Sequence, residues 1–156
     1  MKKDFFDLML KVMDDNPDVY LIFVGLGYPR VEEFLKKYPK RAINTEASEQ
    51  TALDIAVGLA YENKIPFTYT ISPFYLRAFE TIRTYINHEN LQVILVGVGR
   101  DDDYSKDDGF SHDAADISEI LGTQKNISQY YPEDFKQLEI ALAESLVVRK
   151  PHFISL

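Results

Sequence analysis

The most specific chemical pattern of the sequence lies between residues 41 and 60, where Glu49 precedes a run of small apolar residues. If a helix begins near Ala47, Glu49 shares a face with residues three, four, seven and eleven positions later, namely Ala52, Leu53, Ala56 and Ala60. A carboxylate on an apolar face loses hydration, which raises its pKa unless a partner compensates. Such a group could exchange a proton with a ligand near neutral pH. The alternative is that Glu49 only complements the helix dipole in a first turn.

Other ligand-binding motifs are incomplete. The segment 25–30 follows an apolar run, but Arg30 stands where GxGxxG requires its third glycine, and Asp102 stands there in the segment 97–102. The acidic segment 100–109 lacks the glycine that an EF-hand calcium loop needs at its turn. The histidines show no HExxH pairing and the chain has no cysteine, so we predict no metal site.

Composition predicts one globular domain that spans 1–156. The chain has 156 residues, of which 46% are hydrophobic and 27% charged. The net charge of −8 opposes the attraction on which nonspecific nucleic-acid binding depends, so we expect no nucleic-acid partner. The apolar runs are too short to span a bilayer and the first residues lack a signal-peptide pattern, which predicts no membrane partner and a cytoplasmic protein.

Helical and strand patterns alternate along the chain. Helical periodicity predicts helices at 5–13, 30–38, 52–60, 76–86, 117–121 and 132–147. Apolar runs rich in β-branched and aromatic residues predict strands at 19–24, 66–71, 92–97, near 127 and at 152–156. This order predicts an α/β fold with a doubly wound, mainly parallel sheet flanked by helices. Ligands bind such sheets beyond the carboxyl ends of the strands, which directs attention to 25–30, 72–77 and 97–112.

Five segments resemble, in the same order, the pyrimidine-binding domain of the transketolase family of thiamine-diphosphate enzymes. Residues 41–50, R-A-I-N-T-E-A-S-E-Q, resemble R-F-x-D-V-G-I-A-E-Q, and 56–60, A-V-G-L-A, resemble A-x-G-L-A. Residues 74–78, F-Y-L-R-A, resemble the F-x-x-R-A of deoxyxylulose-phosphate synthases, and 108–112, D-G-F-S-H, resemble D-G-P-T-H. Residues 151–156, P-H-F-I-S-L, resemble the closing P-x-x-I-x-L. The similarity extends over nearly the whole chain.

The resemblance implies thiamine diphosphate as the cofactor and assigns residues to its aminopyrimidine ring. Glu49 matches the glutamate that bonds N1′ of that ring, and it becomes the first catalytic candidate. Phe74 matches the aromatic residue that stacks on the ring, although an isolated phenylalanine is more often part of a core. Ile71 and Arg77 occupy neighbouring positions of the cofactor pocket, and Arg77 could equally be a surface ion-pair residue.

The resemblance also assigns a substrate-binding loop. Asp108 and His112 match it, and the histidine of this loop donates hydrogen bonds to substrate oxygens, which makes His112 the second catalytic candidate. A loop histidine is otherwise usually just solvated. Two residues depart from the family pattern: Glu46 stands where glycine is usual, and Asp113 stands where glutamine is common. Glu46 adds a second carboxylate near Glu49, and their repulsion would favour the protonated form of one.

The diphosphate half of the family pattern is missing. This sequence has no G-D-G, the motif that introduces the oxygen ligands holding Mg²⁺ against the diphosphate. The resemblance therefore implies a separate diphosphate-binding subunit that holds the Mg²⁺, in a homodimer or heterotetramer that acts on a small sugar or 2-oxo acid. The function predicted is the pyrimidine-binding subunit of a split transketolase-like enzyme. Alternatives are a catalytically incompetent binding or regulatory module and the pyrimidine subunit of a split 2-oxo-acid decarboxylase.

Overall fold

Six parallel strands form a single sheet in the computed structural model, which describes residues 1–25, 30–100, 103–104 and 108–156. The strands are β1 (Val19–Phe23), β2 (Ala42–Asn44), β3 (Ile65–Ile71), β4 (Ile94–Val98), β5 (Ser128–Tyr130) and β6 (His152–Ser155). Their order across the sheet is β2-β1-β3-β4-β6-β5. The predicted doubly wound α/β fold is confirmed, and every pair of neighbouring strands is parallel.

Helices connect the strands and cover both faces of the sheet. They are α1 (Lys2–Asp15), α2 (Arg30–Lys37), α3 (Glu49–Tyr61), α4 (Phe79–Thr81), α5 (Ile117–Gly122) and α6 (Phe135–Val147). The helix predicted at 76–86 is instead three segments, because α4 is one short turn between a 3-10 helix (Ser72–Ala78) and a π-helix (Ile82–His88). Apolar spacing indicates helical winding but does not resolve its pitch. None of the described helices is long and apolar enough to cross a membrane.

The two faces of the sheet bury different kinds of side chain. The face under α1, α2 and α6 is rich in aromatic rings, which include Phe5, Phe6, Phe23, Phe34 and Tyr69. Phe5 stacks on Tyr69 with ring centroids 5.6 Å apart. The face under α3 and α5 is mainly aliphatic, and here the Tyr75 hydroxyl donates to the carbonyl oxygens of Thr68 and Val96, with both distances 3.0 Å. Both layers pack against β1, β3 and β4, which lie inside the sheet.

Strand β2 was not predicted from the sequence because its three residues are too few to show a period of two. It pairs with β1 in parallel, with Leu21 opposite Ala42. The Arg41 side chain fixes the entry to β2, since its guanidinium donates to carbonyl oxygens of the α1–β1 connection, those of Met13, Asn16 and Val19, at 2.9, 3.0 and 3.2 Å. The segment that precedes α3 therefore leaves the sheet at its carboxyl edge.

The order of the strands reverses direction between β1 and β3. From β1 the chain continues outward to β2, whereas from β3 it continues to β4 on the other side. A crevice forms at such a reversal, beyond the carboxyl ends of the two strands. Two incomplete motifs at this edge lie partly outside the described residues, namely the GxGxxG at 25–30, without 26–29, and the acidic segment at 100–109, without 101–102 and 105–107.

Candidate active site

Glu49 is the first residue of α3 and lies beneath the surface, with a side chain that is 6% exposed. Ala52, Leu53 and Ala56, which share its face of the helix, are buried, whereas Ala60 is only half-buried. The inward direction predicted from spacing is confirmed. Glu49 also lies in the first turn of α3, so it complements the helix dipole as well.

Hydrogen bonds attach the turn before α3 to the end of β1. The Asn44 side-chain oxygen accepts from the backbone N–H of Gly25 at 3.2 Å and from that of Glu46 at 3.1 Å. The Thr45 hydroxyl donates to the carbonyl oxygen of Phe23 at 3.2 Å. Because these bonds fix the turn to the sheet, the start of α3 and the Glu49 carboxylate have a defined position at its carboxyl edge.

Two residues have left-handed backbone conformations here, Gly25 after β1 and Glu46 in the turn before α3. Gly25 has φ of 52°, and a Cβ there would lie 2.8 Å from the carbonyl carbon of Glu46, so only glycine fits. Glu46 itself also has φ of 52°. This conformation favours glycine, which is the residue usual at that position of the family pattern. The departure from the family pattern at Glu46 therefore affects the backbone conformation as well as the charge.

Arg77 links Glu49 to Phe74. Its Nη1 lies 2.7 Å from Glu49 Oε1, and its guanidinium carbon lies 3.8 Å from the centre of the Phe74 ring. The arginine side chain is 50% exposed, so one end of the ion pair reaches solvent while the other is buried. An opposite charge at hydrogen-bond distance offsets part of the cost of burying a carboxylate. Arg77 is thus the partner that compensates for the burial of Glu49.

The Phe74 ring continues this series of contacts to His112. The two ring centroids are 5.1 Å apart in an edge-to-face arrangement, and both residues are half-buried. Ile71, at the end of β3, is buried and only 6% exposed. The structure therefore brings Glu49, Arg77, Phe74 and His112 together in one continuous set of contacts at the carboxyl edge of the sheet.

Asp108 lies on the same segment as His112 but with an exposed side chain. Burial is the main cause that raises the pKa of the nearby Tyr104 phenol, and the charge of Asp108 contributes to the same shift. The segment turns at Gly109, which has φ of 85°. Asp108 is therefore near the candidate site, at its solvent side.

Sequence reasoning missed Tyr104. Its ring centroid lies 5.1 Å from that of His112, and the ring packs against Gly99 at the end of β4. Tyr104 belongs to no motif, and an acidic, irregular segment has no periodic signal that could have indicated an inward side chain. The glycine at position 99, which leaves room for the ring, was the only hint that the sequence carried.

The arrangement suits a flat heteroaromatic ring. A buried carboxylate can hydrogen-bond to a ring nitrogen, and the half-buried Phe74 ring can stack against the ring face. His112 adds an imidazole that can donate or accept a hydrogen bond toward a second reactant. The side chains of Glu49, Phe74 and His112 thus fit the aminopyrimidine half of thiamine diphosphate. The sequence has no G-D-G for the diphosphate half.

Comparison with known proteins identifies the same domain family that the sequence resembles. The sequence profile of the family "Transketolase, pyrimidine binding domain" matches residues 5–156. The 6-deoxy-6-sulfo-D-fructose transketolase subunit SqwH of Clostridium sp. (strain MSTE9) is 25% identical over an alignment of 158 positions that covers 100% of this chain and 49% of that protein. The 1-deoxy-D-xylulose-5-phosphate synthase of Tropheryma whipplei (strain Twist) is 27% identical over 140 residues, 89% of this chain and 22% of the synthase.

The fold is also found in solved structures. A split gene transketolase, solved as an inactive beta4 tetramer, superposes with a TM-score of 0.85 and 24% identity over 99% of this chain and 50% of its own chain. The chain thus spans half or less of the length of these relatives. Because the family profile covers nearly all of it, this chain belongs to the transketolase pyrimidine-binding domain family.

Proposed function

We propose that this chain supplies the pyrimidine-binding half of a thiamine-diphosphate-dependent, transketolase-like enzyme that transfers a ketol group. The observation that carries the proposal is the buried Glu49 carboxylate, which Arg77 bridges to the Phe74 ring. Family membership supports the cofactor, and two of the relatives named above are a transketolase subunit and a 1-deoxy-D-xylulose-5-phosphate synthase.

Glu49 is proposed to hold and move the proton at N1′ of the aminopyrimidine. When bound, the cofactor supplies a nucleophilic carbon and an electron sink, which protein side chains lack. The part of Glu49 is to bond one ring nitrogen with its carboxyl group, and burial excludes water that would compete for that bond. Its place at the start of α3, fixed through the turn at Asn44, holds the carboxyl oxygen in position.

Phe74, Ile71 and Arg77 are proposed to bind the cofactor ring. Phe74 offers an aromatic surface for stacking, and Ile71 closes the apolar floor at the end of β3. Arg77 contacts both Glu49 and the Phe74 ring, so a pyrimidine that stacked on the same ring face would displace the guanidinium. Because Arg77 is half exposed, it can turn toward solvent without burying its charge.

His112 and Asp108 are proposed to face the substrate. His112 is half-buried at the site edge, where its imidazole can donate a hydrogen bond to a hydroxyl or carbonyl oxygen of a ketose. Asp108, four residues earlier and exposed, can accept from a substrate hydroxyl. Both lie on the segment after β4, at the carboxyl edge where ligands meet such sheets.

A second polypeptide region that contains the G-D-G motif is proposed to hold the diphosphate and its Mg²⁺. Hard oxygen ligands are required for that ion, and the G-D-G pattern that introduces them is absent from this sequence. We place it on a separate subunit, with the cofactor between the two unlike chains. This chain is then proposed to form a homodimer by itself or, together with that subunit, a heterotetramer.

The proposal is tested by combining the chain with a diphosphate-binding subunit that carries G-D-G. The chain alone should bind thiamine diphosphate weakly in calorimetry, and the mixture should transfer a ketol group between sugar phosphates. Glu49→Gln keeps the size of the side chain but removes its acid–base function, so kcat should fall by about 10²–10⁴-fold. Glu62→Gln, at the exposed C-cap of the same helix, is the matched control and should leave kcat unchanged.

Other outcomes would contradict parts of the proposal. Tight binding by the isolated chain would contradict a shared cofactor site, and full activity of Glu49→Gln would remove Glu49 from the mechanism. An assembled complex without any turnover would favour a binding or regulatory module. Turnover of 2-oxo acids without ketol transfer would favour a decarboxylase subunit.

A further inference from the structure

Tyr104 contacts the proposed substrate-binding histidine although no motif includes it. Its ring lies 5.1 Å from the His112 ring at an interplanar angle of 53°. Phe74 lies at the same distance from His112, with an angle of 64°. The imidazole is therefore in contact with two aromatic rings. From this geometry we propose that Tyr104 is a positioning residue that sets the orientation of the His112 side chain.

Tyr104 is itself held by close packing against the end of β4. A Cβ at Gly99 would lie 2.4 Å from Tyr104 Cε2 and 2.7 Å from Cδ2, so the ring rests directly on the glycine backbone. Gly99 also has φ of 95°, which a side chain would make costly. The ring of Tyr104 packs against the aromatic core of the sheet, so the neighbour of His112 is itself held by packing.

The first turn of α1 holds the same segment from a second direction. Lys2 Nζ lies 2.8 Å from the Asp103 carboxylate and 5.5 Å from the centre of the Tyr104 ring. Burial raises the pKa of the Tyr104 phenol, so the ring stays neutral at physiological pH. One lysine therefore contacts both Asp103 and Tyr104, which links the start of the chain to the surroundings of His112.

A positioning role matters because His112 has little else to orient it. Among the described residues, the hydrogen bond found for its imidazole is that between Nδ1 and the hydroxyl of the neighbouring Ser111, at 3.1 Å. A half-exposed imidazole can rotate between staggered side-chain conformations unless packing excludes the alternatives. Contact with Tyr104 and Phe74 limits that rotation, which keeps a donor nitrogen aimed at one place.

Nuclear magnetic resonance of the isolated full chain tests the contact without any cofactor. The chain has three histidines, and His88 and His152 serve as internal references. In the wild-type protein, ring protons of Tyr104 and His112 should show a nuclear Overhauser effect. Tyr104→Ala removes the ring current, so the His112 ring resonances should move while those of His88 and His152 stay. Tyr104→Phe keeps the ring and should preserve the His112 resonances.

Two further variants sharpen the measurement. Lys2→Ala removes one support of the Tyr104 ring and should move the His112 resonances in the same direction as Tyr104→Ala, but less. Tyr85→Ala removes an exposed tyrosine from the π-helix and should leave His112 unchanged. The wild-type Overhauser effect requires no variant, so a variant that fails to fold does not remove the test.

The catalytic consequence rests on the proposed function and is measured separately. In the complex with a diphosphate-binding subunit, Tyr104→Ala should lower kcat/KM by about tenfold or more, because a misdirected donor costs transition-state stabilisation. Tyr104→Phe should restore it.

The two failures are distinguishable. Absence of the Overhauser effect, or His112 resonances that do not respond to Tyr104→Ala, would overturn the positioning role whatever the activity. Resonances that move and are rescued by phenylalanine support the role, even if the complex proves inactive and the proposed function fails.

Discussion

Two buried titratable side chains, Glu49 and His152, differ in what surrounds them. Glu49 is 5% exposed at the carboxyl edge of the sheet and has Arg77 as a charged partner at 2.7 Å. His152 is fully buried in β6, and neither of its ring nitrogens has a hydrogen-bond partner among the described residues. It stacks on Tyr130 instead, with ring centroids 5.7 Å apart.

The difference shows how a charged group and a neutral one are buried. A carboxylate beneath the surface needs a compensating charge, and the half-exposed Arg77 provides it while a ligand can still approach. An imidazole can be buried without such a partner only in its neutral form. Burial lowers the pKa of His152. A weak interaction with the backbone of Lys150 partly opposes this shift, and the charges of Lys150 and Glu144 act in opposite directions to each other. The surroundings of Glu49 support its proposed chemical role, whereas His152 packs in the interior.

The largest expected effect comes from removing the charged partner of Glu49. Arg77→Met keeps much of the side-chain volume but removes the guanidinium, which leaves a buried carboxylate without its partner. We expect the free energy of unfolding to fall by about 2 kcal/mol, less than for a fully buried pair because Arg77 is half exposed. Urea denaturation at pH 7.5 measures it. Glu49→Gln in the Arg77→Met background should recover part of the loss, because a neutral amide is less costly to bury.

The matched control uses another arginine. Arg83 pairs with Glu80 at 2.8 Å, but both side chains are exposed, at 55% and 71%. Arg83→Met should therefore change stability little, since exposed ion pairs contribute little. An equal loss from both substitutions would contradict a special need for compensation at Glu49.

The next effect concerns His152 and pH. Its pKa in the folded chain is lowered from the ordinary value of 6.5, so below that pH the unfolded chain binds a proton that the folded chain does not. Stability contributed by the neutral imidazole is then lost as pH falls, and we expect the free energy of unfolding to decrease between pH 7.5 and 5.5. Denaturation series at several pH values measure this slope.

Two histidine variants test the origin of the slope. His152→Leu removes the titrating group and an unpartnered polar side chain, so the decrease should disappear and stability at pH 7.5 should be equal or higher. His88→Gln, at an exposed position, should retain the full decrease. A slope that persists in His152→Leu would mean that other groups cause it.

The fold was largely predictable because its elements are long and periodic. Four of the six described strands and the helices at both ends of the chain follow from apolar spacing, and β5 was expected near residue 127 although it has only three residues. The exceptions are local. The three residues of β2 are too few to show alternation, and the 3-10 and π-helical windings around α4 differ from an α-helix in pitch rather than in apolar pattern.

The candidate site was predictable in part, for a different reason. The inward direction of Glu49 follows from helical spacing, and family resemblance selected Phe74, Arg77 and His112. Their mutual contacts depend on which strands are neighbours, and that information is not local in sequence. The Arg77–Glu49 pair joins positions 28 residues apart, and the contact of Tyr104 with His112 involves an irregular segment without a motif.

The smallest expected effect separates strain from charge beside Glu49. Glu46 has a positive φ of 52°. Among the described non-glycine residues, only Asn63 and Asn90 also have a positive φ, and asparagine tolerates this conformation well. Glu46→Gly should raise the free energy of unfolding by up to about 1 kcal/mol, because relief of strain exceeds the added entropy of the unfolded glycine. Glu46→Ala removes the carboxylate but keeps the strained backbone, so it should give no comparable gain. If both variants stabilise the chain equally in denaturation experiments, repulsion between the carboxylates of Glu46 and Glu49, and not backbone conformation, is the dominant cost at this turn.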